Sequence, residues 1–197
     1  GSNEIRGSYE NACEQLALAL GDHASLNEND AVLCCGCGTG RELSFYKNRY
    51  KLRHITGIDP HVKGKYGDDD FNVRRVQAKA EDLCVRKNAS DVSGSITKTL
   101  LFPQFQFNKI LALDNIYHYK SKRAFYEDCA DLLPHGGRVA VTDVILRKDV
   151  ASLPMWARIV LFAMGVPSRN IWTAKDYHAT LTSHGFVDID IKPIGHQ

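Results

Sequence analysis

No apolar run in these 197 residues approaches the ~20 that cross a bilayer, so a membrane-spanning helix is not expected. The opening residues, GSNEIRGSYE, contain no apolar stretch of the kind that heads a secretory leader. A basic excess is also missing. Lys and Arg number 25 against 23 Asp and Glu, a formal charge of +2, and the basic pairs Arg74-Arg75 and Arg86-Lys87 are short and interrupted. A nucleic-acid partner is therefore not expected. Paired cysteine spacings of the zinc type are lacking: Cys34, Cys35 and Cys37 cluster, while Cys13, Cys84 and Cys129 are scattered singly. No metal is expected, and six free thiols in a reducing, cytoplasmic compartment is the reading. Internal repeats and low-complexity tracts are absent, and the length suits one domain over residues 1–197.

What the chain does contain is an alternation of strand-like and helix-like stretches. Residues 8–20 carry apolar positions at helical spacing. The short apolar run AVLCC stops at Gly36, and TGRELSFYKNRY resumes as a helix. HITGIDP (54–60) reads as a second strand closed by Pro60, FNVRRVQA (71–78) as a third, NKILALD (108–114) as a fourth and RVAVTDV (138–144) as a fifth. HVKGKYGDDD (61–70) reads as a loop, and residues 84–106 as a loop or short-helix insertion. A helix follows Ser121, a plausible N-cap, and another runs from Thr173, with Asp176 completing a capping pattern, to Gly185. FVDIDI (186–191) reads as a sixth strand. Such alternation predicts right-handed crossovers and a six-stranded, doubly wound parallel sheet with helices on both faces. Ligands of such sheets lie at the carboxyl ends of the strands.

The first strand end carries Gly36, Gly38 and Gly40 in the order G-x-G-x-G. Glycines there permit a tight turn and close approach of a ligand. The dinucleotide fingerprint is not met, because Arg41 stands where its last glycine belongs, and the Gly-Lys-Ser/Thr of a phosphate loop is absent.

VLCCGCGTG resembles the VLDVGCGTG loop of class I S-adenosylmethionine-dependent methyltransferases, and four further segments resemble that family in order. They are ITGIDP, AKAEDL, LALDNIYHY and LLPHGGRVAVTD, so the likeness runs from about residue 8 to residue 192. It implies a Rossmann-like class I fold, S-adenosylmethionine as cofactor, and a small-molecule acceptor. Gly36, Cys37 and Gly38 would border the cofactor, Asp59 with Pro60 would hold its ribose diol, and Ala80, Glu81 and Asp82 would lie beside the adenine. Asp114 and Asn115 follow the fourth strand where cofactor and acceptor meet, and Tyr9 would cover the cofactor's carboxylate from the first helix. The chain departs from the family at Cys34, where many relatives have an acid, and at Lys79, where an Asp is frequent. The family's sheet has seven strands, of which this sequence accounts for six.

For methyl transfer to a hydroxyl or ammonium, the proton acceptor expected first is His118 and second Asp143. The segment from 153 to about 170, with Met155, Trp156, Phe162 and Met164, reads as a lid over an apolar or aromatic acceptor. Membrane-surface contact is a secondary outcome of that apolar helix and is not expected. An open sheet edge beyond the last strand would favour a homodimer or coverage by the chain's tail. The alternatives are a non-catalytic S-adenosylmethionine-binding subunit and a methyltransferase of RNA or protein.

Overall fold

The structure is a computed structural model, and it describes residues 2–62, 73–88, 96–147 and 153–194. Five helices are described: α1 (Ser2–His23), α2 (Arg41–Tyr50), α3 (Lys122–Leu132), α4 (Met155–Ala163) and α5 (Ala174–Ser183). The seven strands described are β1 (Ala31–Cys35), β2 (His54–Asp59), β3 (Val73–Gln77), β4 (Cys84–Asn88), β5 (Ile96–Leu100), β6 (Lys109–Ala112) and β7 (Arg138–Val141). Most of the loop expected over 61–70 lies outside the described residues.

Five strands form the main sheet in the order β3-β2-β1-β6-β7, every pair parallel. The order reverses between β1 and β6, which places a crevice at the carboxyl ends of those two strands. Successive residues of β1 face opposite sides of the sheet. Val32 and Cys34 join one core with Leu20, Leu43, Tyr46 and Ile55, beneath α1 and α2. Leu33 and Cys35 join the other with Ile110, Phe125, Cys129, Trp172 and Tyr177. Three of the clustered thiols, Cys34, Cys35 and Cys37, are thus core residues.

α1 binds α2 closely because residue 21 is glycine. A Cβ there would stand 2.6 Å from the Tyr50 hydroxyl, which donates to Asp22 Oδ1 at 2.7 Å. Both expected caps form: Ser121 Oγ accepts from Ala124 N, and Thr173 with Asp176 closes a reciprocal capping box. The first helix extends beyond the expected 8–20 at both ends.

Two expectations are corrected. Within residues 84–106, two stretches are strand instead of loop or short helix: β4 and β5 pair antiparallel from Cys84↔Leu100 to Asn88↔Ile96, as a sheet of their own, while 101–106 are turns and bends as expected. Ile96, Thr97 and Thr99 give β5 its β-branched bias; the turn-rich 89–95 lies outside the described residues. FVDIDI is not a sixth strand, so the main sheet holds five among the described residues. Phe186 and Ile191 pack against the core while Val187 is 80% exposed. A groove of about 1850 Å³ runs between this segment and β7, with Val139 and Val141 on one wall and Ile189 and Ile191 on the other. That gap leaves the segment without the neighbouring backbone a strand requires.

Candidate active site

The glycine loop is fastened from several directions. Gly36 N and Cys37 N both donate to Ile58 O, at 2.7 and 3.0 Å, so the loop rests on the end of β2. Gly38 N donates to Asp59 Oδ2 at 3.0 Å and His61 N to Asp59 Oδ1 at 2.8 Å. Each Asp59 oxygen thus accepts one backbone hydrogen and keeps lone-pair capacity for a ligand. Arg75 Nη2, reaching from β3, donates to Gly38 O at 2.7 Å.

Gly36 and Gly38 differ in what surrounds them. Both have positive φ, 76° and 51°. A Cβ on Gly36 would stand 2.3 Å from Asn115 Nδ2, whereas one on Gly38 would meet nothing within 4 Å. Gly36 is glycine because the protein closes on it, and Gly38 borders open space where a ligand can lie. Open space above Gly38 beside a doubly anchored carboxylate fits a ribose-bearing cofactor, with Asp59 able to accept from a diol.

The residues after β6 complete the rim. Asn115 Nδ2 donates to Cys35 O at 2.7 Å and its Oδ1 accepts from Tyr119 OH at 2.7 Å, which ties this turn to the loop. Asp114 holds φ 53°, its N–H on Thr142 Oγ1 at 2.6 Å, and its Oδ1 accepts from Tyr117 OH at 3.1 Å. A left-handed aspartate at a strand end is a strained conformation of the sort found at binding sites. The rings of Tyr117 and His118 lie 4.3 Å apart, and Gly165, just beyond α4, comes up to His118 Nδ1. α1 closes the far side: Glu10 pairs with Arg41 at 3.3 Å, and the phenol of Tyr9, exposed, lies within electrostatic reach of Asp114.

Several expected residues take other positions. Cys37 turns its thiol onto Gly57, away from the crevice, and burial first, then Glu42, pushes that thiol up to about 11. The Asn115 amide is spent on holding the loop. Glu81 accepts from Lys120 N, and Pro60 O accepts from Gln77 Nε2 at 3.2 Å, so both brace neighbouring segments. Ala80 is buried, and Asp82 exposed. Asp143 is the clearest correction. Its Oδ2 holds both the buried Lys122 ammonium and the Tyr177 hydroxyl, and its Oδ1 is buried without a partner, so the carboxylate belongs to an enclosed network.

Sequence reasoning missed Arg75, Thr142, Asn170 and Glu42. Asn170, 1% exposed, receives Lys122 N at 3.0 Å and donates to Tyr119 O, locking the segment after α4 to the turn after β6. Glu42 carried a readable signal: it lies four residues before Tyr46, on a helix whose buried positions are Leu43 and Tyr46. Burial first, and the Asp59 charge second, push its carboxyl up to about 8. Among the described residues, one trio, Cys84, Asp128 and Asp131, brings ligand atoms within 4.8 Å of one another; it lies at α3 and β4, and each member has other interactions.

No family model matches the chain. It is 28% identical over 191 residues to the erythromycin 3''-O-methyltransferase of Saccharopolyspora erythraea, covering 94% of this chain and 60% of that protein. It is 26% identical over 122 residues to the phosphoethanolamine N-methyltransferase of Triticum aestivum, covering 62% and 22%. The chain therefore spans less than two thirds of the curated relatives it matches. Among solved structures it superposes with a TM-score of 0.68 on Haemonchus contortus phosphoethanolamine N-methyltransferase 2 bound to phosphomonomethylethanolamine and S-adenosylhomocysteine, at 16% identity, covering 88% of this chain and 37% of that one.

Proposed function

From the premise that this chain has the class I methyltransferase fold and methyltransferases among its relatives, we propose that it binds S-adenosylmethionine and methylates a small-molecule acceptor. The observation that carries this reading is the pairing of open space at Gly38 with Asp59, each of whose oxygens is held by a backbone N–H.

When bound, the cofactor supplies an electrophilic methyl group that needs no further activation. The protein's work is then to hold, align and keep out water. Asp59 receives the ribose hydroxyls, and Gly38 gives the cofactor room. Arg75 and Asn115 keep the loop in shape by holding its carbonyls. Asp114, at the strained end of β6, lines the rim between cofactor and acceptor. Where the acceptor is a hydroxyl or an ammonium, an imidazole nitrogen of His118 takes its proton. Asp143 is dropped from that role, because Lys122 and Tyr177 hold its Oδ2 and its Oδ1 is buried.

α4 serves as the lid. Met155, Trp156, Ile159 and Phe162 are 60–83% exposed on it, and the chain leaves it at Gly165 beside His118. An apolar helix so placed favours an apolar or aromatic acceptor. Residues 1–197 act as one domain, with α1 and α4 as its two covers. The six cysteines form no disulfide, in keeping with a reducing compartment such as the cytoplasm. No described helix is long and apolar enough to cross a membrane.

The test is incubation with methyl-labelled S-adenosylmethionine and a panel of small hydroxyl, amine and carbon acceptors. Transfer of label, lost in His118→Ala for hydroxyl or amine acceptors, is the expected result. Binding of the cofactor without transfer to any acceptor would favour a non-catalytic binding subunit.

A further inference from the structure

Resting on that reading, we propose that Glu42 is a cofactor-binding residue that receives the positive charge of the methionine end of S-adenosylmethionine. Glu42 stands in the first turn of α2, directly after the glycine loop, and is partly buried. Among the described residues it makes no hydrogen bond and no ion pair. One turn further on, Tyr46 is fully buried and its hydroxyl also lacks a partner. One side of α2 therefore carries a buried hydroxyl without a partner and, one turn earlier, a half-buried carboxylate that bonds no described residue. Buried polar groups are rarely left so.

No described cation forms an ion pair with this carboxylate. The groups within its electrostatic reach are Cys34 and Cys35 on β1, Cys37 in the loop, Asp59 on β2, Tyr46 on its own helix and Tyr119 after β6. All are acids. Arg75 acts on Cys37 and is bonded to Gly38 O. A carboxylate so placed stays largely protonated near neutral pH and ionises when a ligand brings a cation. S-adenosylmethionine carries an ammonium at one end of its methionine portion. Position 34, which many relatives give to an acid, is here a buried thiol that cannot take this role. Glu42 supplies the carboxylate from the helix instead of the strand.

The assignment predicts proton-linked binding. Below about 8 the carboxyl must give up a proton to pair with the ligand, so affinity rises with pH up to about 8 and falls again once the ligand's own α-amino group loses its charge. Titration calorimetry of the wild-type chain and of Glu42→Gln, with S-adenosylmethionine, S-adenosylhomocysteine and adenosine, separates the outcomes. Glu42→Gln should bind the two amino-acid-bearing ligands at least about tenfold more weakly and lose the rise with pH. Its affinity for adenosine, which lacks the methionine portion, should not change. Tyr46→Phe, which leaves the carboxylate in place, should keep the pH profile. Equal weakening for all three ligands would mean that Glu42 only shapes the loop, and overturns the assignment. So would a variant matching wild type in affinity and pH profile. Wild-type protein that takes up neither S-adenosylmethionine nor S-adenosylhomocysteine at any pH overturns the proposed function itself.

Discussion

At the β1–β2 side of the sheet the backbone is held almost atom by atom. At the β7 side it is held by side chains around an open groove. In the glycine loop, Gly36, Cys37, Gly38 and Gly40 all donate within reach, to Ile58 O, Asp59 Oδ2 and Cys37 O. Beyond β7, Leu146 N reaches Trp172 O, but residues 186–194 run past the strand without pairing. What fixes that region is the buried Lys122–Asp143–Tyr177 network, with the Lys122 ammonium 5.6 Å from the Trp172 ring centre. The difference teaches where each kind of change should act. The loop fails through geometry, and the outer half through uncompensated charge.

The largest expected effect is on the outer half. Lys122→Met leaves the Asp143 carboxylate buried without its cation, and stability should fall by about 3–5 kcal/mol in urea unfolding. Cofactor affinity measured below the unfolding range should stay near wild type, because the loop is anchored independently. A matching collapse of affinity would mean that the two regions are one cooperative unit.

Glu42→Gln should move stability the other way. The carboxyl is raised from 4.5 to about 8 in the fold, so between those values the unfolded chain is ionised while the folded one is not. Wild-type stability is therefore lowered progressively as pH rises from about 4.5 to about 8, and levels above that. The glutamine variant should melt higher than wild type, by nothing near pH 4 and by the equivalent of a few kcal/mol near pH 8. A difference that does not grow with pH would contradict the burial of this carboxyl.

The two loop glycines sharpen the contrast further. Gly36→Ala places a methyl group 2.3 Å from Asn115 Nδ2 at φ 76°, and should cost about 2 kcal/mol while loosening the tie to the turn after β6. Gly38→Ala meets no protein atom and should cost only about 1 kcal/mol, from its positive φ. Its cofactor affinity should nevertheless fall, since the methyl group enters the ligand's space. Thermal melts with and without S-adenosylmethionine measure both.

The same contrast governs what could be read from the sequence. Strand ends, caps and the loop are set by neighbours in the chain. The glycines at 36, 38 and 40, the Thr173–Asp176 box and the apolar run AVLCC were legible for that reason. The fate of FVDIDI depends on whether another backbone lies alongside it, which its own alternation cannot say. The β4–β5 hairpin was obscured by a stretch rich in turn residues and broken by Pro103. At the candidate site, Asp59 stood out from its place at a strand end, and the fold sets it against the glycine loop. Asp143 held the same place after another strand, and only the fold revealed Lys122 and Tyr177 against it. Glu42 was not singled out, although its spacing from Tyr46 put it on the same side of the helix as that buried residue.

The central claim is that the loop and Asp59 together form a site for S-adenosylmethionine. Calorimetric titration of the wild-type chain against Asp59→Ala, at one pH and with folding checked by circular dichroism, tests it most directly. Loss of two charge-assisted hydrogen bonds from the ribose diol should weaken binding by about a hundredfold or more. A folded Asp59→Ala chain that binds the cofactor as tightly as wild type would contradict the account.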